Sequence, residues 1–147
     1  MEKLIILCLL MFGTSLSNIK TDNYSLTIKV EGLENSEGTV VFALYNKEGS
    51  IPDQKFKKFF RKDKASINSK ISEFTFNNLP EGLYAVTILH DENNNGKIDT
   101  KFMLPLPDEG VGFSNYDDFG LSNRPNFEKA SFNLDKNTTI VVKVIYK

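Results

Sequence analysis

From Tyr24 to Glu31 apolar and polar residues alternate, with Leu26, Ile28 and Val30 opposite Ser25, Thr27 and Lys29. A period of two marks a strand with one face in a core. Gly32 to Gly38 is a polar turn, and Thr39 to Tyr45 then sets Val41, Ala43 and Tyr45 against Val40, Phe42 and Leu44. Apolar residues on both faces predict an interior strand. Ser72 to Asn77 and Leu83 to His90 read as two more strands, joined by Asn78-Leu79-Pro80-Glu81-Gly82. The proline and glycine of that join are turn chemistry. In the later strand Tyr84, Val86, Ile88 and His90 share one face, and Ala85, Thr87 and Leu89 the other. A last pair of strands, Ala130 to Leu134 and Thr138 to Tyr146, is separated by Asp135-Lys136-Asn137. Thr100 to Asn126 has no period and is rich in Gly and Pro. The pattern predicts an all-β fold: a single antiparallel Ig-like β-sandwich of about seven strands, with one sheet face wet and at most one short helix.

The segment Ser50 to Lys64 is the place for it, as a short helix or a loop. Ser50 can cap it, Pro52 lies just inside, and Phe56, Phe59 and Phe60 fall at helical spacing. Interleaved with the rings are Lys55, Lys57, Lys58, Arg61, Lys62 and Lys64. One reading is a basic patch for phosphates or an anionic polysaccharide. The plainer one lays the phenyl rings on the sandwich and leaves the cations to water.

Composition narrows the class. At 147 residues one domain is expected, and 40% hydrophobic with 25% charged residues is ordinary for a chain with a real core. A net charge of −1 gives no global attraction to nucleic acid or an anionic membrane. Lys3 followed by the apolar run Leu4 to Phe12, then Ser15 and Ser17, reads as a signal peptide cleaved after Ser17. The run is too short to span a bilayer. Residues 18–147 are then the mature domain, secreted or periplasmic, without stable membrane insertion. The single cysteine, Cys8, falls in the signal and follows Leu7 rather than a small residue, which argues against a lipid anchor. The mature chain then has no disulfide, thiolate nucleophile or cysteine metal site.

Chemistry concentrates in His90-Asp91-Glu92-Asn93-Asn94-Asn95-Gly96-Lys97-Ile98-Asp99. Asp91, Asn93 and Asn95 place side-chain oxygens at alternate positions, Gly96 permits a sharp turn, Lys97 offers its carbonyl, and Asp99 adds a carboxylate. These are the first nine positions of an EF-hand calcium loop. The twelfth position, where such a loop has a bidentate Glu, is Phe102. A carboxylate must therefore come from elsewhere, with Asp108, Glu109, Asp117 and Asp118 as candidates. Only two carboxylates, Asp91 and Asp99, stand at ligand positions of the loop, which suits a weak calcium site, on the order of 10⁻⁴–10⁻³ M as in extracellular modules. The alternative is a self-satisfied Asx turn in a structural envelope protein without metal. His90 is the only histidine. It can close a strand end and fix the loop, or serve a hydrolase with Asp108 or Glu109, which requires the three to converge. A non-catalytic module, presenting Thr100–Asn126 to a protein or glycan, is the reading favoured here.

The run from His90 to Thr100, then Pro107, Glu109-Gly110, Gly112-Phe113-Ser114-Asn115, Pro125, Phe127, Ala130 and Phe132, resembles a bacterial family of secreted proteins. It is labelled domain of unknown function 2141 and is frequent in Bacteroidetes and Proteobacteria. Phe76, Leu79-Pro80, Gly82 and Tyr84-Ala85 fit the same pattern, so the resemblance covers roughly residues 24–147. It implies an exported single domain and carries no established activity. The turn ending at Tyr84 is also similar to that of prealbumin-like and collagen-adhesin B-type sandwiches, some of which bear Asx-rich calcium loops. The hydrolases of the prealbumin-like group use several histidines and a characteristic C-terminal tetrapeptide. One histidine and the ending Val144-Ile145-Tyr146-Lys147 do not carry that activity over.

Overall fold

The structure is a computed structural model that describes residues 22–101 and 106–147. The expected signal segment and Phe102 lie outside the described residues. Eight strands form two sheets: β1 (Asn23–Glu31), β2 (Thr39–Tyr45), β3 (Arg61–Ala65), β4 (Ser72–Pro80), β5 (Gly82–Asp91), β6 (Val111–Phe113), β7 (Phe132–Leu134) and β8 (Thr138–Lys143). One sheet runs β4-β1-β8; the other runs β3-β2-β5-β6, with β7 pairing the start of β5. The expected all-β sandwich is therefore present, with one strand more than the pattern suggested. The pairings are antiparallel except β1 with β8, which run parallel from Leu26↔Thr138 to Glu31↔Lys143. Among the described residues no helix is long and apolar enough to cross a membrane.

Between the sheets lies one core, with Leu26, Ile28 and Val30 of β1 facing Phe42, Leu44, Val86 and Ile88 of β2 and β5. A second core covers the other face of β2 and β5, where Ala43, Tyr45, Ala85 and Leu89 pack against Ile51, Phe56, Phe113, Phe119 and Phe127. Two irregular segments thus form a third layer. This explains the double-faced apolar pattern of β2 and the nearly complete burial of β5. The expected wet face exists only on the smaller sheet, where Thr27 meets Thr75 and Lys29 lies 3.6 Å from Glu73.

Tyr84 fixes the passage from β4 to β5, because its hydroxyl donates to the Pro80 carbonyl at 2.9 Å. That contact is the tyrosine corner of Greek-key sandwiches, and here the chain changes sheets. The last two strands also occupy opposite sheets and do not pair with each other.

Of the two forms open to the segment after Ser50, a short helix or a loop, it takes the loop. Buried Asp53 gathers the segment: its carboxylate accepts from the Lys58 amide at 2.7 Å and from the Tyr45 hydroxyl at 3.3 Å. Phe56 enters the second core with φ of 47°. Arg61–Ala65 then pairs as β3 along the edge of β2, which keeps the amides of that buried strand from being left unpaired. Among the described residues the one short helix is α1 (Phe127–Ala130), capped by Asn126, whose side chain accepts from the Lys129 amide.

Candidate metal loop

β5 ends at Asp91, so its alternation dictates where the last two side chains go. His90 continues the Tyr84, Val86, Ile88 face and Asp91 the face of Ala85 and Leu89. His90 is fully buried. Its Nε2 lies 2.8 Å from the Glu37 carbonyl, an acceptor only, so Nε2 carries the proton. Nδ1 then accepts from the Tyr146 hydroxyl at 2.6 Å, and that oxygen accepts from the Glu34 amide at 3.2 Å. The chain of bonds ties the C-terminal strand and the β1–β2 turn to the end of β5. It fixes that turn, and Nδ1 also lies 3.5 Å from the Glu92 carboxylate at the start of the Asx-rich loop. The ring nitrogens are engaged by Tyr146 and Glu37, and Asp108 points into solvent, so the three groups of the hydrolase alternative do not come together.

Asp91 is 3% exposed and organises the loop around its carboxylate. Oδ1 accepts from the Asn95 amide at 3.0 Å and Oδ2 from the Gly96 amide at 2.9 Å. Asn93 Oδ1 accepts from the Asn95 amide at 2.9 Å, and Asn95 Oδ1 from the Lys97 amide at 3.0 Å. These nested Asx turns need left-handed backbone, found at Asn94 (φ 58°) and Gly96 (φ 74°). The Asn93 and Asn95 side-chain amides both donate to Asp99 Oδ2, and the Lys97 ammonium is 3.4 Å from Asp99 Oδ1. The bond from Asn93, then those from Asn95 and Lys97, hold the Asp99 carboxyl below its ordinary value against the opposing effect of burial.

Three outside contacts anchor the loop. Thr39 Oγ1 donates to Asn94 Oδ1 at 3.0 Å, Asn35 Nδ2 to Glu92 Oε1 at 2.9 Å, and the Ile98 amide to the Gln54 carbonyl at 3.2 Å. Gly38 lies so close beneath Asp91 that a Cβ there would sit 2.1 Å from the Asp91 carbonyl oxygen.

Of the four acids that could complete the loop, the structure brings in Glu109. The Asp108 amide bonds the Asp99 carbonyl at 2.9 Å, which folds the following strand back along the loop. Glu109, 6% exposed, turns inward, and its Oε2 accepts from the Asp99 amide at 3.5 Å. Its Oε1 is buried with no hydrogen-bond partner among the described residues. Burial pushes the Glu109 carboxyl above its ordinary value and the charges of Asp91 and Asp99 push the same way, while the Asp99 and Glu92 amides oppose them. Asp118 pairs with Lys147 instead, and Asp117 is exposed. Among the described residues no three His, Cys, Asp or Glu side chains already converge closely enough to hold an ion. Asp91 is committed to the loop's own amides and Asp99 to the two asparagines. Beside the loop an apolar hollow of about 190 Å³ opens, lined by Pro52, Ile98, Val111, Phe113, Phe119 and Arg124.

The fold and loop together define an all-β two-sheet protein with an Asx-rich loop at the end of its central strand. The chain belongs to the family described as "Uncharacterized protein conserved in bacteria (DUF2141)", whose profile matches residues 28–141. No curated protein and no solved structure matches it. Sequence reasoning missed Tyr146 as the partner of His90, and could not separate Glu109 from its three acidic competitors.

Proposed function

We propose that the chain is an exported, non-catalytic β-sandwich module whose loop takes up calcium through Asp91, Asn93, Asn95, the Lys97 carbonyl and Asp99, with Glu109 supplying the outside carboxylate. The observation that supports this best is the buried Glu109 oxygen, without a partner among the described residues, in a carboxyl on which the charges of Asp91 and Asp99 act. A carboxylate hidden from water without a partner is costly, and a divalent cation offsets both its desolvation and the repulsion among the three acids. Asn93 and Asn95 aim amide nitrogens at Asp99, where they stand in for positive charge. Half a turn of each amide would present oxygen instead, in exchange for the turn bonds that those oxygens now accept. The competition with these bonds fits a weak site.

Calcium would serve here as a structural cross-link. Ile98 of the loop lines the apolar hollow, as do Val111 and Phe113, which follow Glu109 in the chain. Tying Asp99 to Glu109 would therefore stiffen the face on which a protein or glycan would be held. The test is thermal melting of the chain from Asn18 onward in millimolar calcium and in chelator. Binding to the folded form alone must raise the midpoint. Identical midpoints would return the loop to the structural alternative, a self-satisfied turn in a metal-free envelope protein.

A further inference from the structure

The chain's net charge of −1 conceals an uneven distribution: Lys55, Lys57, Lys58, Arg61, Lys62 and Lys64 lie within ten residues, opposed there by Asp63 alone. Among the described residues, none of these cations takes part in an ion pair. Asp63 turns its carboxylate to the Lys64 amide at 2.8 Å. The rings do not behave as a core stripe either. Phe56 is buried, but Phe59 and Phe60 are 38% and 40% exposed. Phe60 does lie on the sandwich, its ring centre 6.1 Å from that of Tyr84, yet it and Phe59 each leave more than a third of their surface to solvent.

The segment is also held firmly. The Lys58 amide is bound to Asp53, and the Phe60 amide donates to the Leu44 carbonyl at 2.7 Å. Lys62 and Lys64 project from the same face of β3, about 7 Å apart. The Lys62 ammonium is 5.2 Å from the Phe59 ring centre, and the Arg61 guanidinium 5.8 Å from that of Phe60. β3 is the outermost strand of its sheet, and Lys62 and Lys64 are exposed on it, whereas half-buried Arg61 lies on the opposite face and donates to the Asn77 carbonyl at 2.6 Å.

We propose that Lys55–Lys64 is a docking strip for an anionic lipid surface, on which the cations meet headgroup phosphates and the exposed phenyl rings settle among the headgroups. A soluble polyanion would engage the charges and leave the rings in water, whereas a headgroup layer receives both. Each basic residue near such a surface is worth roughly a fivefold gain in partitioning, weakened by salt. The half-buried rings and short edge strand limit the contact of this strip to adsorption.

The test is sedimentation of the chain from Asn18 onward, which keeps both sheets whole, with vesicles of phosphatidylcholine alone or with one-third phosphatidylglycerol. Salt-sensitive binding to the anionic vesicles only is expected. Replacing Lys57, Lys58 and Lys62 by Gln together should lower partitioning about a hundredfold. Phe59→Ser, with every charge kept, should lower it several-fold, and both variants should melt with the parent. Absence of binding to the anionic vesicles overturns the proposal. So does unchanged vesicle binding by Phe59→Ser, or retention on soluble heparin without vesicle binding, either of which would assign the strip to a soluble polyanion.

Discussion

Glu109→Gln separates the cost of a buried charge from its use. In chelator the parent holds a carboxylate that is 6% exposed, has one oxygen without a partner among the described residues, and is acted on by the charges of Asp91 and Asp99. Glutamine keeps an oxygen for the Asp99 amide, removes the charge, and adds an N–H that can donate to the neighbouring acids. Relief of one buried unsatisfied polar group is worth about 1–3 kcal/mol, so the variant should be more stable than the parent in chelator at neutral pH. The sign depends on pH. A carboxyl whose folded pKa is raised contributes stability that is fully present below its unfolded pKa, about 4.3, and is lost as pH rises through the folded value. The parent should therefore weaken over that window, and Glu109→Gln should not. Asp99, held low by Asn93, Asn95 and Lys97, acts oppositely: its contribution is present above the unfolded pKa and lost as pH falls through the folded value.

Calcium should reverse the order of the two proteins. For a Kd of roughly 10⁻⁴–10⁻³ M, calcium at about 10 mM stabilises the parent by about 1.4–2.7 kcal/mol, or roughly 4–10 °C in Tm for a domain of this size. The variant, lacking the carboxylate, should gain little. Melting curves of both proteins in calcium and in chelator, across pH, provide the assay. A variant that is less stable in chelator, or one that keeps the full calcium shift, refutes the reasoning about Glu109.

Tyr146→Phe deletes the hydroxyl that donates to His90 Nδ1 and accepts from the Glu34 amide, leaving a buried ring nitrogen without its partner. Urea denaturation should show a loss of about 1–3 kcal/mol with little change in m. Gly38→Ala brings a Cβ to 2.1 Å from the Asp91 carbonyl oxygen at a φ of +65° and should cost on the order of 3 kcal/mol or more. Gly49→Ala, at φ +72° with nothing within 4 Å, should lose only about 1–2 kcal/mol, and equal losses at the two sites would contradict the close approach at Gly38.

How much could be read in advance depended on how local each feature is. The strands β1, β2, β4 and β5 are long enough for their period to show, and Leu79-Pro80 through Tyr84 announces a turn by composition alone. The Asx-rich loop was equally legible, because its bonds join residues two to five apart. The phenylalanines after Gly49 left helix and loop both open because helical spacing also arises in an irregular segment, where Asp53 sets the path. β6 is three residues long and leaves no period to read. The parallel pairing of β8 with β1 joins the two ends of the domain, and no local pattern encodes it. Glu109 differs from Asp108 by a single position. Only the pairing of 99–101 with 106–108 decides which of the two turns towards the loop.

Calorimetric titration of calcium into the chelator-stripped chain from Asn18 onward tests the central claim most directly. The account predicts one saturable site with a Kd of roughly 10⁻⁴–10⁻³ M, lost in Asp91→Ala. A flat titration through 10 mM or so, or a curve that Asp91→Ala leaves intact, would contradict it.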